Sequence, residues 1–284
     1  MKTFLLIITM LSSSGLCFAQ TDSSATDSIP PKSTLTFAAI YSNNASYYGQ
    51  RAEEKIPYAA VAGNYQLKSG IYFTAQTYKL LNDTTSDLSA GNIGAGVNFK
   101  VAKKLTADLS YSHSFYPSYS PLLQAANADN ASVSLSYQGW ITTGLTGDYA
   151  FGKTNDAFVT AAVSKQINLF SIGKKDIVTI TPSANIVGGT QHFYQTYLKE
   201  KKLRDSLLGL LPVPIFGEPN SNHTDTVRST AFNVLSYNFK LPLAYNRQHY
   251  SMEVAYQLSL LSDHVKTTTG QINSFLTFSF YYQF

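Results

Sequence analysis

The chain has 284 residues, a formal net charge of +4, one cysteine, and 13% charged residues beside 20 tyrosines and 17 phenylalanines. Soluble domains carry roughly 25% charged residues, so so little charge argues against one, and the near balance of signs excludes a nucleic-acid surface. A lone cysteine excludes a disulfide framework and a thiolate metal site.

Residues 1–19 read as a secretory signal peptide: Lys2 is the positive n-region, Phe4 to Met10 the apolar core, and Cys17-Phe18-Ala19 the cleavage site. A lipoprotein anchor at Cys17 would want a small residue before it, and Leu16 stands there. Residues 20–32 are polar and contain prolines, and are expected to form a disordered periplasmic tail. Beyond the signal no apolar run reaches the ~20 residues of a spanning helix. The apolar content is instead spread in alternation over 33–284, which fits an all-β transmembrane antiparallel β-barrel of about 12 strands. A soluble secreted β-sandwich would leave the scarcity of charge unexplained.

Side chains on a strand alternate between two faces, and that alternation marks the segments in order. They are 33–43 (Leu35, Phe37, Ala39 and Tyr41 on one face), 57–67 (Ala59, Val61, Tyr65 and Leu67), and 70–80, whose parity is ambiguous. Next come 88–100 (Ile93, Ala95, Val97 and Phe99), 104–115 (Leu105, Ala107, Leu109, Tyr111 and Phe115), and 129–138 (Val133, Leu135 and Tyr137). Segments 141–151, 157–170 and 176–188 follow, the second interrupted by Lys165, which reads as a bulge or a snorkelling side chain. Pro182 cannot donate a ladder bond, so a bulge or kink is expected there. The last three are 230–241 (Leu235, Tyr237, Phe239 and Leu241), 249–261 and 274–284.

Connections alternate between tight turns, such as Lys68-Ser69-Gly70 and Gly139-Trp140, and longer loops, such as 44–56, 116–128 and 189–229. Short periplasmic turns and long extracellular loops are the habit of outer-membrane barrels. In the longest loop the stretch 197–211 changes to a helical period, with Leu203, Leu207, Leu210 and Leu211 on one face, until Pro212 and Pro214 stop it. A short amphipathic helix there has four open uses: plug, lid, contact with lipopolysaccharide phosphates, or packing of its own loop.

The final segment sets Leu276, Phe278, Phe280, Tyr282 and Phe284 against Thr277, Ser279, Tyr281 and Gln283. That pattern resembles the C-terminal signature of Gram-negative outer-membrane β-barrel proteins. The resemblance implies that the barrel-assembly machinery reads those five residues as an assembly signal. It also implies a place in the cell outer membrane, in contact with outer-membrane lipid and lipopolysaccharide; the barrel is read as a monomer. The stretches 182–194 and 235–245 look like uncharacterised Bacteroidota-type barrels, which carry no agreed activity.

Five charged residues fall on the inward-facing set: Lys100, Asp108, Asp148, Lys240 and Glu253. The favoured reading is that opposite signs pair and brace the interior; the other is a pore lining that selects solutes. His113 lies on the apolar face between Tyr111 and Phe115, with no nucleophile on that face of its strand, although a cross-strand partner such as Ser89 stays open. His192, His223, His249 and His264 show no metal-ligand spacing. No catalytic, cofactor-binding or metal-binding residue is assigned, and no cofactor. Three functions follow in order: a passive channel or small-solute transporter, suggested by a Ser/Thr-rich lumen; a structural or interaction barrel with a closed lumen; and a lipid-modifying enzyme.

Overall fold

A computed structural model describes residues 32–83, 88–118, 120–208, 231–265, 267 and 270–284, without the side chains of 202–208. The expected signal peptide and all but Lys32 of the expected tail lie outside them. The wall strands are β1 (Thr34–Ser42), β2 (Tyr58–Gln66), β3 (Ile71–Leu80), β4 (Ala90–Ala102), β5 (Leu105–Phe115), β6 (Asp129–Gln138) and β7 (Thr142–Phe151). They continue as β8 (Asn155–Ser164), β9 (Ile167–Phe170), β10 (Asp176–Ile180), β11 (Ser183–Gly189), β12 (Asn233–Arg247), β13 (Tyr250–Leu261) and β14 (Ile272–Gln283).

Consecutive strands pair antiparallel, and β1 closes on β14 with Phe37 opposite Tyr282 and Tyr41 opposite Phe278. β8 and β9 form one wall strand, as do β10 and β11, so the result is a closed 12-strand barrel. Closure satisfies every ladder and removes the free edges that a sheet in lipid could not leave unpaired. The outward face is largely apolar: Phe37, Val61, Ile93, Leu145, Tyr237 and Phe280 are all exposed. The final strand keeps the alternation, with Phe278, Phe280, Tyr282 and Phe284 outward and Ser279, Tyr281 and Gln283 buried. β3 settles its ambiguous parity by pointing Ile71 and Phe73 outward and Gln76 and Tyr78 inward.

Both expected irregularities are present. The ladder breaks at 181–182, around Pro182, and again at 165–166. There Lys165 gives a hydrogen bond to the Trp140 carbonyl and stands 5.0 Å from the Trp140 ring.

Two boundaries depart from the alternation. β12 runs on through Pro242 to Arg247, past the expected end at 241. The Pro242 carbonyl accepts from Thr181 N at 3.0 Å, so the side of Pro242 that lacks an N–H faces the gap between β10 and β11, where the ladder is already broken. The second departure is Leu235, expected outward with Tyr237 and Phe239. It is the extra residue of a bulge opposite Val187 and Gly188, and the bulge turns it inward to full burial.

Candidate functional site

The lumen divides into two parts. Its wall is made largely of small side chains, since many inward positions on the strands are Ser, Thr, Asn or Ala. At the end bearing the long loops, chain segments fold into this space and fill it.

The first of these is the loop 43–57. Asn44 anchors its base by accepting from Ile56 N at 2.9 Å. Its tip is a tight two-residue turn, with Tyr47 and Gln50 exchanging backbone hydrogen bonds at 2.8 and 3.0 Å. Tyr48 (φ 51°) and Gly49 (φ 82°) both take the left-handed conformation that such a turn requires. Gly49 is also fixed by space, because a Cβ there would lie 2.7 Å from Ser236 Oγ and closer still to Asn238 Oδ1. The wall holds the tip by its backbone. Ser236 Oγ donates to the Tyr48 carbonyl at 2.8 Å, and Asn273 Nδ2 to the Gly49 carbonyl at 3.2 Å. Arg51 Nε donates to Asn273 Oδ1 at 3.0 Å.

The turn delivers Tyr48 into an aromatic cluster. Its ring stacks on Phe158 of β8 with centroids 3.6 Å apart, and Tyr47 meets Phe193 edge-on at 4.8 Å. Tyr48 is 0% and Phe158 1% exposed. Leu122, Leu123, Ala125 and Ala126, on and beside a short 3-10 helix (Leu123–Ala126), pack into the same cluster. Its members at the mouth come from β1, β2, β3, β4, β7, β8, β11, β12 and β13 and from the loops between them, so it reaches opposite walls of the barrel. Each buried large side chain contributes about 1.5–3 kcal/mol, which gives the plug a hydrophobic core of its own. Burial pushes the Tyr47 hydroxyl well above the usual tyrosine range, and pushes Tyr116 up to about 12.

The third insertion is helix α1 (His192–Leu208), which starts five residues before the expected 197. Asp156, 1% exposed on β8, sets that start. Its carboxylate accepts from His192 N at 2.8 Å and Phe193 N at 2.9 Å, the unpaired donors of the first turn. Thr190 Oγ1 and Asn127 Nδ2 donate to it at 2.6 and 3.0 Å, and His192 Nδ1 lies 3.0 Å away. A buried carboxylate with this many donors satisfies the rule that burial needs partners. So held, α1 turns Phe193, Tyr194 and Tyr197 into the plug. Of the leucines expected to line it, the side chains of Leu203 and Leu207 are not described, and Leu210 and Leu211 lie outside the described residues.

Toward the tight-turn end the lumen stays polar and holds a pocket between β10, β12, β13, β14 and β1. Of the five inward charges, Glu253 and Asp148 are buried. Lys240 Nζ lies 4.0 Å from Glu253 Oε1. Asp108 instead accepts from Tyr72 OH at 3.0 Å, and Asp148 from Asn130 Nδ2 at 3.4 Å. Lys100 is exposed beside the β4–β5 turn. The structure thus brings together only one opposite-charge pair of the five.

His113 faces outward. Its Nδ1 lies 2.7 Å from Asp129 Oδ1, which also accepts from Tyr111 OH at 2.5 Å. Ser89, the cross-strand partner left open, is buried and donates toward Asp83 while accepting from Leu80 N. The described residues contain no group of three or more metal-ligating side chains.

The residues that fill the mouth were missed as a site by alternation alone. One signal was available: Phe158 is an aromatic on the inward parity of its strand, where its neighbours are Asp156 and Thr160. Another was Phe193 and Tyr197, a helical i,i+4 pair upstream of the leucine face.

No protein-family model matches the chain, and no curated protein does. Among solved structures it is similar to the KdgM porin, at 7% identity over 88% of this chain and 99% of that one, with a TM-score of 0.47. An outer membrane channel from Pseudomonas putida F1 aligns at 10% identity over 93% and 100%, with a TM-score of 0.43. LpxR from Salmonella typhimurium aligns at 9% over 87% and 99%, with a TM-score of 0.44. At these identities and scores the likeness carries no activity or location over to this chain.

Proposed function

We propose that the chain is an outer-membrane β-barrel whose extracellular mouth is closed by its own loops, and that it serves as a structural or interaction barrel. One observation carries this reading: Tyr48, at the tip of loop 43–57, is fully buried inside the barrel, stacked on the wall residue Phe158. A Ser/Thr-rich lumen by itself favours a passive channel, but the aromatic plug stands across the path a solute would take. Planar-bilayer conductance tests the reading. The full chain is expected to be silent, and a variant with 45–55 replaced by a short Gly/Ser linker is expected to conduct. A resting conductance in the full chain would overturn closure.

A second reading, a gated small-solute channel, draws on the polar lining that continues below the plug, including Thr36, Thr179 and Asn246. Steady conductance after a ligand or voltage step, with loops intact, would favour it. The lipid-modifying reading ranks last, because His113 is engaged with Asp129, which Tyr111 also binds, and among the described residues no serine or threonine hydroxyl is a hydrogen-bond partner of its ring. Lipase or deacylase activity lost in His113→Ala would restore it. The long loops then face outward and the tight turns face the periplasm. The outward set Leu276, Phe278, Phe280, Tyr282 and Phe284 is the surface we assign to the barrel-assembly machinery. Removing Phe284 should lower the membrane-inserted fraction of a monomeric barrel set among lipid and lipopolysaccharide.

A further inference from the structure

Exposed side-chain charge is of one sign at the tight-turn end. Lys68 lies between β2 and β3, Lys103 and Lys104 between β4 and β5, Lys174 and Lys175 between β9 and β10, and Arg247 at the end of β12; all six are exposed. None of the five lysines forms an ion pair with a described residue. Among the described residues no acidic side chain is exposed at this end. Asp176 is buried, and its carboxylate accepts from Ile172 N and Gly173 N, both at 2.8 Å, and from Tyr245 OH at 3.0 Å. At the long-loop end the signs mix instead, with Lys153 2.6 Å from Glu200 and Lys201 3.5 Å from Glu53.

Contacts between neighbouring turns gather these cations into arcs. Asn98 N donates to the Gly70 carbonyl at 3.0 Å, and Gln138 N to the Lys104 carbonyl at 2.8 Å, so the turns bearing Lys68, Lys104 and Trp140 adjoin. Arg247 lies opposite Asp176, which sets it beside the β9–β10 turn. Large apolar side chains are interleaved with the cations: Trp140 is 83%, Ile172 72% and Phe170 59% exposed. Lys165 combines the two, its ammonium hydrogen-bonded to the Trp140 carbonyl and 5.0 Å from the ring.

We propose that the tight-turn end is a collar that gathers anionic phospholipid headgroups from the surrounding leaflet. A one-signed field attracts a headgroup of net negative charge, whereas a zwitterionic headgroup brings its own cation and gains little. Lysine suits the task, because its stem lies along apolar surface while its ammonium reaches the headgroup layer. The interleaved Trp140, Phe170 and Ile172 argue against a soluble polyanion as the partner. Such a partner would leave those side chains in water, and the bilayer boundary is where an aromatic ring with a polar edge is at home. The inference rests on the barrel lying in a bilayer; it is independent of whether the mouth is closed.

Trp140 is the chain's single tryptophan and stands in the collar, so its fluorescence reports the lipids around it. The test places the full chain in phosphatidylcholine vesicles containing a small, equal fraction of acyl-brominated phosphatidylglycerol or acyl-brominated phosphatidylcholine. The brominated phosphatidylglycerol should quench Trp140 several-fold more strongly. That preference should vanish at about 1 M sodium chloride, where charges are screened within about 3 Å; this arm needs no substitution. It should also fall in a variant combining Lys103→Gln, Lys104→Gln, Lys174→Gln and Lys175→Gln. Lys55→Gln, which alters an exposed lysine at the long-loop end, should leave it unchanged. Equal quenching by the two lipids overturns the proposal alone, as does a preference that survives the fourfold variant. No quenching by either lipid overturns the bilayer reading as well. Sodium phosphate should weaken the preference no more than sodium chloride of the same ionic strength. A larger effect of phosphate would mean a site for the free ion, and would overturn the headgroup collar.

Discussion

The two ends of this barrel are built from the same strands and hold opposite interiors. At the long-loop end, Tyr47, Tyr48, Phe158 and Phe193 form a buried aromatic core between the walls. At the tight-turn end, Thr36, Thr179, Asn246 and Glu253 line a polar recess. The difference comes from loop length. A turn as short as 67–70 cannot reach the barrel axis, whereas loop 43–57 can fold back, satisfy its own backbone and bring side chains with it. A wall of Ser and Thr therefore tells little about an interior that long loops can fill.

Four experiments would break or sharpen that contrast. The largest effect is expected from Phe158→Ala, which removes the ring that Tyr48 stacks on and should cost about 3–5 kcal/mol. Hydrogen exchange should rise in 44–56 and at the start of α1 while the wall ladders stay protected. Uniform exchange throughout would mean that plug and wall are one cooperative unit.

Next is Asp156→Asn, which turns an acceptor of several bonds into a mixed group and leaves helix N–H donors short of partners. A loss of about 2–4 kcal/mol is expected, read as protease cleavage near 192–200. Cleavage unchanged from the parent would show that α1 is held by its aromatic side chains alone.

A smaller loss should appear at alkaline pH. Burial raises the Tyr116 hydroxyl to about 12 from the ordinary 10. Below pH 10 the folded and unfolded chains both keep that proton, so the full stability is present. Between 10 and about 12 only the unfolded chain releases it, so stability falls as pH rises. Denaturant melts across this window, compared with Tyr116→Phe, should show a shallower fall in the variant; coincident profiles would sink the assignment.

The smallest effect is expected at the polar end. Lys240→Met together with Glu253→Gln removes both charges of a pair 4.0 Å apart, and exchanging a buried ion pair for neutral groups is expected to change stability by only about 0–1 kcal/mol. A loss well above that would mean that the pair braces the wall.

Much of the wall is legible in the chain because a strand with one face outward and one inward must alternate. The segment 129–138 coincides with β6, and the break around Pro182 follows from a missing N–H. Leu235 was not legible, because one extra residue in a bulge reverses the parity of whatever precedes it. Nor was the use of Pro242 inside a strand, since only the gap in the neighbouring wall strand makes its missing donor harmless. The lumen charges were placed by parity, but parity does not give partners: Asp108 is held by Tyr72 and Asp148 by Asn130, both contacts between strands.

What the sequence determined by itself is the wall: the strands, their order, and the apolar outward band that ends with Phe278, Phe280 and Tyr282. These depend on local alternation and on connections between neighbours, which a linear pattern records. What only the tertiary structure decided is the content of the lumen. Gln50 meets Gln191 at 2.6 Å, and Gly49 lies against Ser236 and Asn238. Such contacts join residues far apart in the chain, and loop closure leaves no periodic trace of where a tip will land.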